Sequence, residues 1–147
     1  GLYKDAKTAV NFLLNKGVLV QDIILYGESL GTAVAVEIGQ NKDFAGIILE
    51  APFTSMIELG QKHYPFFPVK FLLKDKYESV KKIKNLKSPL LVMHGKKDKI
   101  VPFYMGEKIF NMGNNPKFKY FTDMDDHMMN FDEELINEID LFISSLN

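Results

Sequence analysis

The sequence contains no cysteine, no arginine and no tryptophan among its 147 residues. The lack of cysteine excludes disulfides, thiol nucleophiles and thiolate-bound metals. Because all 18 basic residues are lysines, there is no guanidinium to hold a phosphate or carboxylate in a bidentate clamp. The formal net charge of -1 provides no strongly basic surface, so we expect no nucleic-acid partner.

The sequence also lacks a start signal and a long apolar run. It begins Gly1-Leu2-Tyr3 without a methionine or a signal-like pattern, and no apolar run approaches the length of a membrane span. We expect residues 1–147 to form a single but incomplete domain. The localisation stays unknown, and it is open between cytoplasmic and membrane-associated through a missing N-terminal segment.

What the sequence does contain is an alternation of short apolar runs and helical spacing. Strands are predicted at 22–27, 45–52, 89–95 and 117–122, and helices at 3–16, 30–40, 103–112 and 131–146. This alternation predicts an α/β fold, with a mostly parallel sheet and helices on both faces. The fourth strand alternates charged and aromatic residues, so we place it nearer the sheet edge.

Residues 53–87 interrupt this alternation. The stretch "YPFFPVKFLL" is aromatic and is broken by Pro65 and Pro68, and the stretch after it is polar and rich in lysine. We predict a cap or lid of helices and loops, in which the aromatic part is packed and the lysines from Lys74 to Lys87 form a solvated helix face.

The stretch "LYGESLGTA" places Ser29 between Gly27 and Gly31, where a predicted strand meets a predicted helix. Gly-x-Ser-x-Gly in that position is typical of a nucleophile elbow, a turn that exposes the serine hydroxyl and strains its backbone. We expect both glycines to be needed because the flanking residues crowd each other. The backbone N–H of Leu30 is then a candidate oxyanion donor.

An acid and a histidine follow later strands. Asp98 comes after the third strand and His127 after the fourth, and the carboxyl ends of parallel strands form a common site. We predict that His127 is the base and that Asp98 holds its imidazole. His94 precedes Asp98 and is expected to bond to backbone, and His63 is expected on the surface or lid.

The acidic cluster Asp123, Asp125 and Asp126 raises the question of a metal. It lacks the glycine and distal glutamate of a calcium loop, and the sequence has no His-Glu-x-x-His motif. We therefore expect solvated loop acids, no metal and no cofactor.

The stretches "LYGESLGTAVAVEIG", "GIILEAPFTSM" and "LLVMHGKKDKIVP" and the Asp126-His127 loop resemble the α/β-hydrolase superfamily. They are similar in particular to the Bem46-like or α/β-hydrolase-domain 13/17-like serine hydrolases. The resemblance implies a partial α/β-hydrolase fold with a helical cap insertion. It also implies cleavage of a carboxylic ester or thioester of a small-molecule or acyl substrate, through an acyl-enzyme on Ser29.

The sequence departs from that family in two places. Members normally have earlier strands and a His-Gly loop that supplies a second oxyanion N–H. Without them, the strand at 22–27 is expected to be an exposed apolar edge. Members also often place glycine before the histidine, whereas Asp125 and Asp126 stand here, and nearby carboxylates favour a protonated imidazole.

Two alternatives stay open. One is a serine peptidase of related fold, which we rank lower because Thr32 stands where prolyl-oligopeptidase-like families usually have a further glycine. The other is a catalytically silent binding module, because the N-terminal oxyanion segment is missing. Membrane contact is conceivable through the lysines, and the oligomeric state is open.

Overall fold

Four parallel strands form the centre of the protein. The computed structural model describes residues 1–72 and 76–146. Its strands are β1 (Ile24–Glu28), β2 (Gly46–Glu50), β3 (Leu90–Gly95) and β4 (Lys117–Thr122). They pair in the order β1-β2-β3-β4, and every pairing is parallel. The predicted α/β class and parallel sheet are confirmed, and β4 lies at an edge as expected.

Seven α-helices surround the sheet in the described residues. They are α1 (Leu2–Asn15), α2 (Leu30–Gly39), α3 (Met56–His63), α4 (Val69–Leu72), α5 (Ser79–Lys82), α6 (Phe103–Met112) and α7 (Glu133–Ser144). Short 3-10 turns occur at Val20–Asp22 and Ile83–Asn85. The last helix begins two residues later than predicted, because Asp132 caps it by accepting a hydrogen bond from the N–H of Leu135.

The two inner strands bury both of their faces. In β2, Ile47 and Leu49 pack into the cluster that includes Ile109 of α6, whereas Ile48 packs into the cluster that includes Phe142 of α7. Every residue of β2 and β3 is buried, which explains why these strands are continuous apolar runs. Helices therefore cover both faces of the sheet, as predicted.

β1 is a free edge of the sheet. It is only partly buried along its length, and Tyr26 is 45% exposed. An open apolar groove of about 660 Å³ lies between α1, α2 and β1. The expected exposed apolar edge is confirmed in this chain, and such an edge favours pairing with another strand.

The segment predicted as a packed lid differs from that expectation. Phe66 is 97% exposed and Phe71 is 85% exposed, whereas Val69 is buried beside Gly60. Two prolines interrupt the chain here, so the rings lie on a turn and a one-turn helix rather than on one face of a long helix. Residues 73–75 of this segment lie outside the described residues.

The lysines after the aromatic stretch do not form one solvated helix face. The helix there, α5, is a single turn, and Lys82 forms an ion pair of 2.6 Å with Glu37 of α2. Lys82 also lies over the ring of Tyr3. Lys74 lies outside the described residues. No helix in residues 1–72 and 76–146 is long and apolar enough to cross a membrane.

Candidate active site

Ser29 lies in a strained turn between β1 and α2. Its backbone has φ 48° and ψ -114°, a left-handed conformation that non-glycine residues rarely adopt. The Ser29 N–H donates to the carbonyl of Glu50 at 2.9 Å, and its carbonyl accepts from the Thr32 N–H at 3.1 Å and the Thr32 hydroxyl at 2.6 Å. The turn is therefore held by both β2 and α2, and the predicted backbone strain is confirmed.

The two glycines of the turn are not equivalent. A Cβ at Gly27 would collide with the carbonyl group of Gly31 and lie 2.8 Å from the nitrogen of Thr32. A Cβ at Gly31 would meet nothing within 4 Å, because that side of the residue faces the open groove beside β1. The expectation that both glycines relieve crowding is correct for Gly27 and wrong for Gly31.

Asp98 is the most densely bonded side chain of the site. Its Oδ1 accepts hydrogen bonds of 2.8 Å from the backbone N–H groups of Ile100 and Val101. Its Oδ2 lies 2.8 Å from Nδ1 of His127 and 3.1 Å from Nε2 of His94. Burial alone raises the pKa of Asp98, but the hydrogen bonds from His94, His127 and the two N–H groups together hold it below its ordinary value.

His127 joins Asp98 to Ser29. Its Nε2 lies 3.1 Å from the Ser29 hydroxyl oxygen, and its side chain is 14% exposed. Because Nδ1 faces a carboxylate, that nitrogen carries the proton and donates, and Nε2 is left with the lone pair that faces the serine. The structure thus brings all three predicted side chains into one hydrogen-bonded row.

Close contacts between two loops align the acid with the histidine. The Lys96 N–H donates to the Thr122 carbonyl at 2.8 Å, and the Lys97 N–H donates to the Asp125 carbonyl at 3.0 Å. A Cβ at Gly95 would collide with the backbone of Asp125. The loop after β3 and the loop after β4 therefore pack directly against each other, which places Asp98 beside His127.

The three acids before His127 have different surroundings. Asp123 is exposed and pairs with Lys96 at 2.8 Å, and Asp126 is also exposed. Asp125 is buried, and its Oδ1 accepts a 2.8 Å hydrogen bond from the side-chain amide of Asn130. The expectation of solvated acids is thus wrong for Asp125, since a buried carboxylate needs a donor and Asn130 provides it.

The two other histidines contact the loop that carries Asp98. His94 is fully buried and lies 2.9 Å from the carbonyl of Val101, as expected, but the sequence interpretation missed its contact with Asp98. The sequence carried no signal for this contact, because residues 94–98 run from a strand into a turn and do not lie along one face of a helix. His63 is exposed on α3, as expected, and its Nε2 donates to the carbonyl of Ile100 at 2.6 Å.

The sequence interpretation also missed Glu50. This residue is buried at the end of β2 and accepts a hydrogen bond from the Tyr26 hydroxyl of β1. Burial raises the pKa of Glu50 above its ordinary value, although the hydrogen bond from Tyr26 opposes that effect. A single charged residue at the end of an apolar strand was the available signal.

The positive end of α2 points toward the serine. Leu30 is the first residue of that helix, so its N–H has no carbonyl one turn earlier to pair with inside the helix. The structure places this N–H directly after Ser29, and its function as an oxyanion donor stays a prediction.

An open cavity of about 410 Å³ adjoins His127. Its apolar lining comes from Ile100, Met124 and Met128, all largely exposed, and Lys97 and Lys99 contribute positive charge. Among residues 1–72 and 76–146, no group of three or more His, Asp or Glu side chains is placed to hold a metal ion. The side chains that the structure brings together at the site are the hydroxyl of Ser29, the imidazole of His127 and the carboxylate of Asp98.

Comparison with known proteins shows which family the chain matches. The family model described as Prolyl oligopeptidase family matches residues 1–140. An uncharacterised protein of Mycobacterium tuberculosis (strain ATCC 25618 / H37Rv) is 39% identical over 118 residues, which cover 80% of this chain and 42% of that protein. Human α/β-hydrolase domain-containing protein 17B is 29% identical over 120 residues, covering 78% of this chain and 39% of that protein.

Solved structures agree on the fold. The esterase domain of a Rhodothermus marinus protein superposes with a TM-score of 0.72 at 18% identity, covering 98% of this chain and 67% of that one. The chain spans about two fifths of the length of the two curated relatives described above, the Mycobacterium tuberculosis protein and human protein 17B.

Proposed function

The chain belongs to the α/β-hydrolase superfamily and matches its prolyl oligopeptidase family, and on that basis we propose that it forms the part of a serine hydrolase that carries the reacting groups. The proposed reaction is cleavage of a carboxylic ester or thioester through a covalent acyl-enzyme. The observation that carries the proposal is the row of hydrogen bonds from Ser29 through His127 to Asp98. We propose that neither a metal nor a cofactor takes part.

In the first half-reaction, Ser29 Oγ attacks the carbonyl carbon of the substrate while Nε2 of His127 takes the hydroxyl proton. The carbonyl oxygen becomes an oxyanion, which the N–H of Leu30 stabilises. Asp98 stabilises the imidazolium that has formed. When the tetrahedral intermediate collapses, His127 returns the proton to the departing alcohol or thiol, and the acyl group stays on Ser29.

In the second half-reaction, water replaces the leaving group. His127 takes a proton from this water as it attacks the acyl carbonyl, and the carboxylic acid leaves as the proton returns to Ser29. The cavity beside His127 supports an acyl or other small-molecule substrate, because Ile100, Met124 and Met128 give it apolar surface and the two methionines are unbranched and flexible.

A serine peptidase is the second candidate, and the match to the prolyl oligopeptidase family favours it. Both reactions use the same row of side chains, so the substrate must distinguish them. Hydrolysis of p-nitrophenyl acyl esters without hydrolysis of blocked peptidyl p-nitroanilides would favour the esterase, and the reverse would favour the peptidase. A catalytically silent binding module would hydrolyse neither.

The experiment that tests the proposal is labelling with a fluorophosphonate, followed by mass spectrometry of the modified peptide. The wild-type chain is compared with Ser29→Ala, and Ser145→Ala serves as the matched control because Ser145 lies far along the chain after α7. We expect labelling at Ser29 alone. If a folded chain is silent, the same probe is applied to a form that carries whatever sequence precedes Gly1, because loss of one oxyanion donor lowers rates by about 10²- to 10³-fold. Silence of that form too would overturn the proposal.

A further inference from the structure

His94 is a fully buried imidazole at the end of β3. Its ring meets the ring of Phe103 edge-on, with centroids 5.7 Å apart. On another side α6 approaches so closely that a Cβ at Gly106 would collide with Nδ1. The ring therefore has one well-defined orientation, with Nε2 directed toward the loop that carries Asp98.

The contacts of the His94 ring indicate which of its nitrogens carries hydrogen. Nε2 lies 3.1 Å from Asp98 Oδ2 and 2.9 Å from the Val101 carbonyl oxygen, and both are acceptors, so Nε2 carries hydrogen. Nδ1 is buried and has no hydrogen-bond partner among the described residues. A proton on Nδ1 would bury an unpaired, charged N–H, which is costly. His94 is therefore a neutral donor.

Asp98 Oδ2 receives donors from two sides, the buried His94 and the half-buried His127. Oδ1 is held separately by the two backbone N–H groups of Ile100 and Val101. The carboxylate is therefore anchored even without His94. What His94 adds is a second hydrogen bond on the oxygen that faces His127, without a positive charge that would neutralise the carboxylate.

We propose that His94 is a positioning residue of the site, whose neutral Nε2–H shares Asp98 Oδ2 with His127 and thereby limits how strongly Asp98 stabilises the protonated form of His127. It acts through Asp98 and touches no reacting atom. The inference rests on the proposed function for its catalytic meaning, but the coupling of His94 to His127 can be measured without any substrate.

Loss of the His94 donor should change the titration of His127 in one direction. Oδ2 would then bond to His127 alone and present more negative charge to it, so His127 would hold its proton to higher pH. The other charged groups that face His127 are unchanged by a substitution at position 94: these are Glu50 at the end of β2, Asp126 in its own loop, and Lys97 and Lys99 beside the shared cavity.

The test measures the titration midpoint of His127 by ¹⁵N NMR of the imidazole nitrogens, in the wild-type chain, His94→Leu and His94→Gln. The amide of Gln can donate to both acceptors of Nε2, whereas Leu cannot. We expect His94→Leu to raise the His127 midpoint by about half a pH unit or more, and His94→Gln to leave it close to wild type. An unchanged or lowered midpoint in His94→Leu would overturn the inference.

A structural control separates this effect from general destabilisation. Ile109 is buried on α6 in the cluster around Leu90 and Val92, away from Asp98. Ile109→Val or Ile109→Ala, whichever matches the melting temperature of His94→Leu, should leave the His127 midpoint unchanged. If His94→Leu does not fold, Gly106→Ala keeps the imidazole but forces the ring to move, and it should shift the midpoint in the same direction. No shift in that variant would also count against the inference.

A second readout ties the effect to reactivity. The rate of fluorophosphonate labelling is followed against pH in the same variants, and its acidic limb should move to higher pH by the same interval as the NMR midpoint in His94→Leu. If neither the wild-type chain nor the longer form labels while the midpoint still shifts, the proposed function fails and the coupling stands. If the wild type labels but its profile does not move with the substitution, the inference about His94 fails alone.

Discussion

At the scale of single residues, the site depends on a few hydrogen bonds whose partners are far apart in the sequence. Asp98 accepts four of them, from Ile100, Val101, His94 and His127. Such a carboxylate does two things at once, since it orders its own loop and orients the imidazole. A substitution that keeps the size of the Asp98 side chain but removes its charge should therefore show which of these effects depends on the charge.

Asp98→Asn tests the charge. The amide keeps the size of the side chain but favours the wrong tautomer of His127, so we expect the labelling rate at Ser29 to fall by about 10³- to 10⁴-fold. Asp123 is an exposed acid that pairs with Lys96, and its variant Asp123→Asn should label at the wild-type rate. Equal rates for Asp98→Asn and wild type would contradict the assigned function of Asp98.

The lowered pKa of Asp98 also predicts a pH dependence of stability. As the pH falls through about 4, the ordinary aspartate pKa, the Asp98 carboxylate takes up a proton in the unfolded chain before it does so in the folded chain. The stabilisation from Asp98 is then fully present above that range and is lost as pH falls toward the lowered pKa. Urea unfolding at several pH values should show that the free-energy difference between wild type and Asp98→Asn shrinks below about pH 4. A difference independent of pH would contradict the shift.

The two glycines of the elbow offer a matched pair. Gly27→Ala places a methyl group against the backbone of Gly31, so we expect it to cost roughly 3 kcal/mol or more in the free energy of unfolding. Gly31→Ala has open space and lies in α2, where alanine is favoured over glycine by about 1 kcal/mol. Urea unfolding should rank the stabilities Gly31→Ala, wild type, Gly27→Ala, and equal losses in both variants would contradict the asymmetry.

At the scale of elements, the segment between β2 and β3 combines a well-packed beginning with exposed aromatic rings. Phe53, three residues after the end of β2, is buried with Ala33, Val101 and Met105. Phe66, on the turn between α3 and α4, is almost fully exposed. Phenylalanine should therefore contribute strongly to stability at position 53 and very little at position 66.

Replacing each of these phenylalanines measures that difference. Phe53→Ala should destabilise the protein by about 3–5 kcal/mol, as expected for a buried aromatic ring, whereas Phe66→Ser should change the free energy of unfolding by less than about 0.5 kcal/mol. Thermal and urea unfolding of both variants provide the comparison. A large loss of stability in Phe66→Ser would mean that the ring is buried in solution.

At the scale of the whole molecule, the sequence was sufficient to predict the strands and the proximity of Ser29, Asp98 and His127. Because β2 and β3 are buried on both faces, they form apolar runs that predict strands. In a parallel sheet, the carboxyl ends of all strands lie along the same edge. Ser29, Asp98 and His127 follow three such ends. Their functions stay predictions, but their proximity is a consequence of the sheet order.

The contacts that were missed share one physical origin. Glu50, Asp125 and His94 are polar side chains buried by packing between neighbouring strands or loops. Their hydrogen-bond partners are Tyr26, Asn130 and Asp98, respectively. Composition and periodicity indicate that a polar residue is usually exposed, and only the folded arrangement shows which donor compensates its burial. The exposed aromatic rings show the opposite case, in which an apolar residue is not buried. Phe66 lies on a turn between two prolines, and no helix or strand there directs its ring toward the core.

The position of Ser29 at the end of the free edge strand has a consequence for how the site comes apart. Asp98 and His127 belong to the loops after β3 and β4, which are hydrogen-bonded to each other, whereas Ser29 follows β1, which pairs with β2 alone among the described residues. In this chain, local opening of β1 would draw the serine away and leave the acid and the imidazole still joined. Amide hydrogen exchange should accordingly be faster in β1 than in β3, and upon warming reactivity should be lost before the sheet melts.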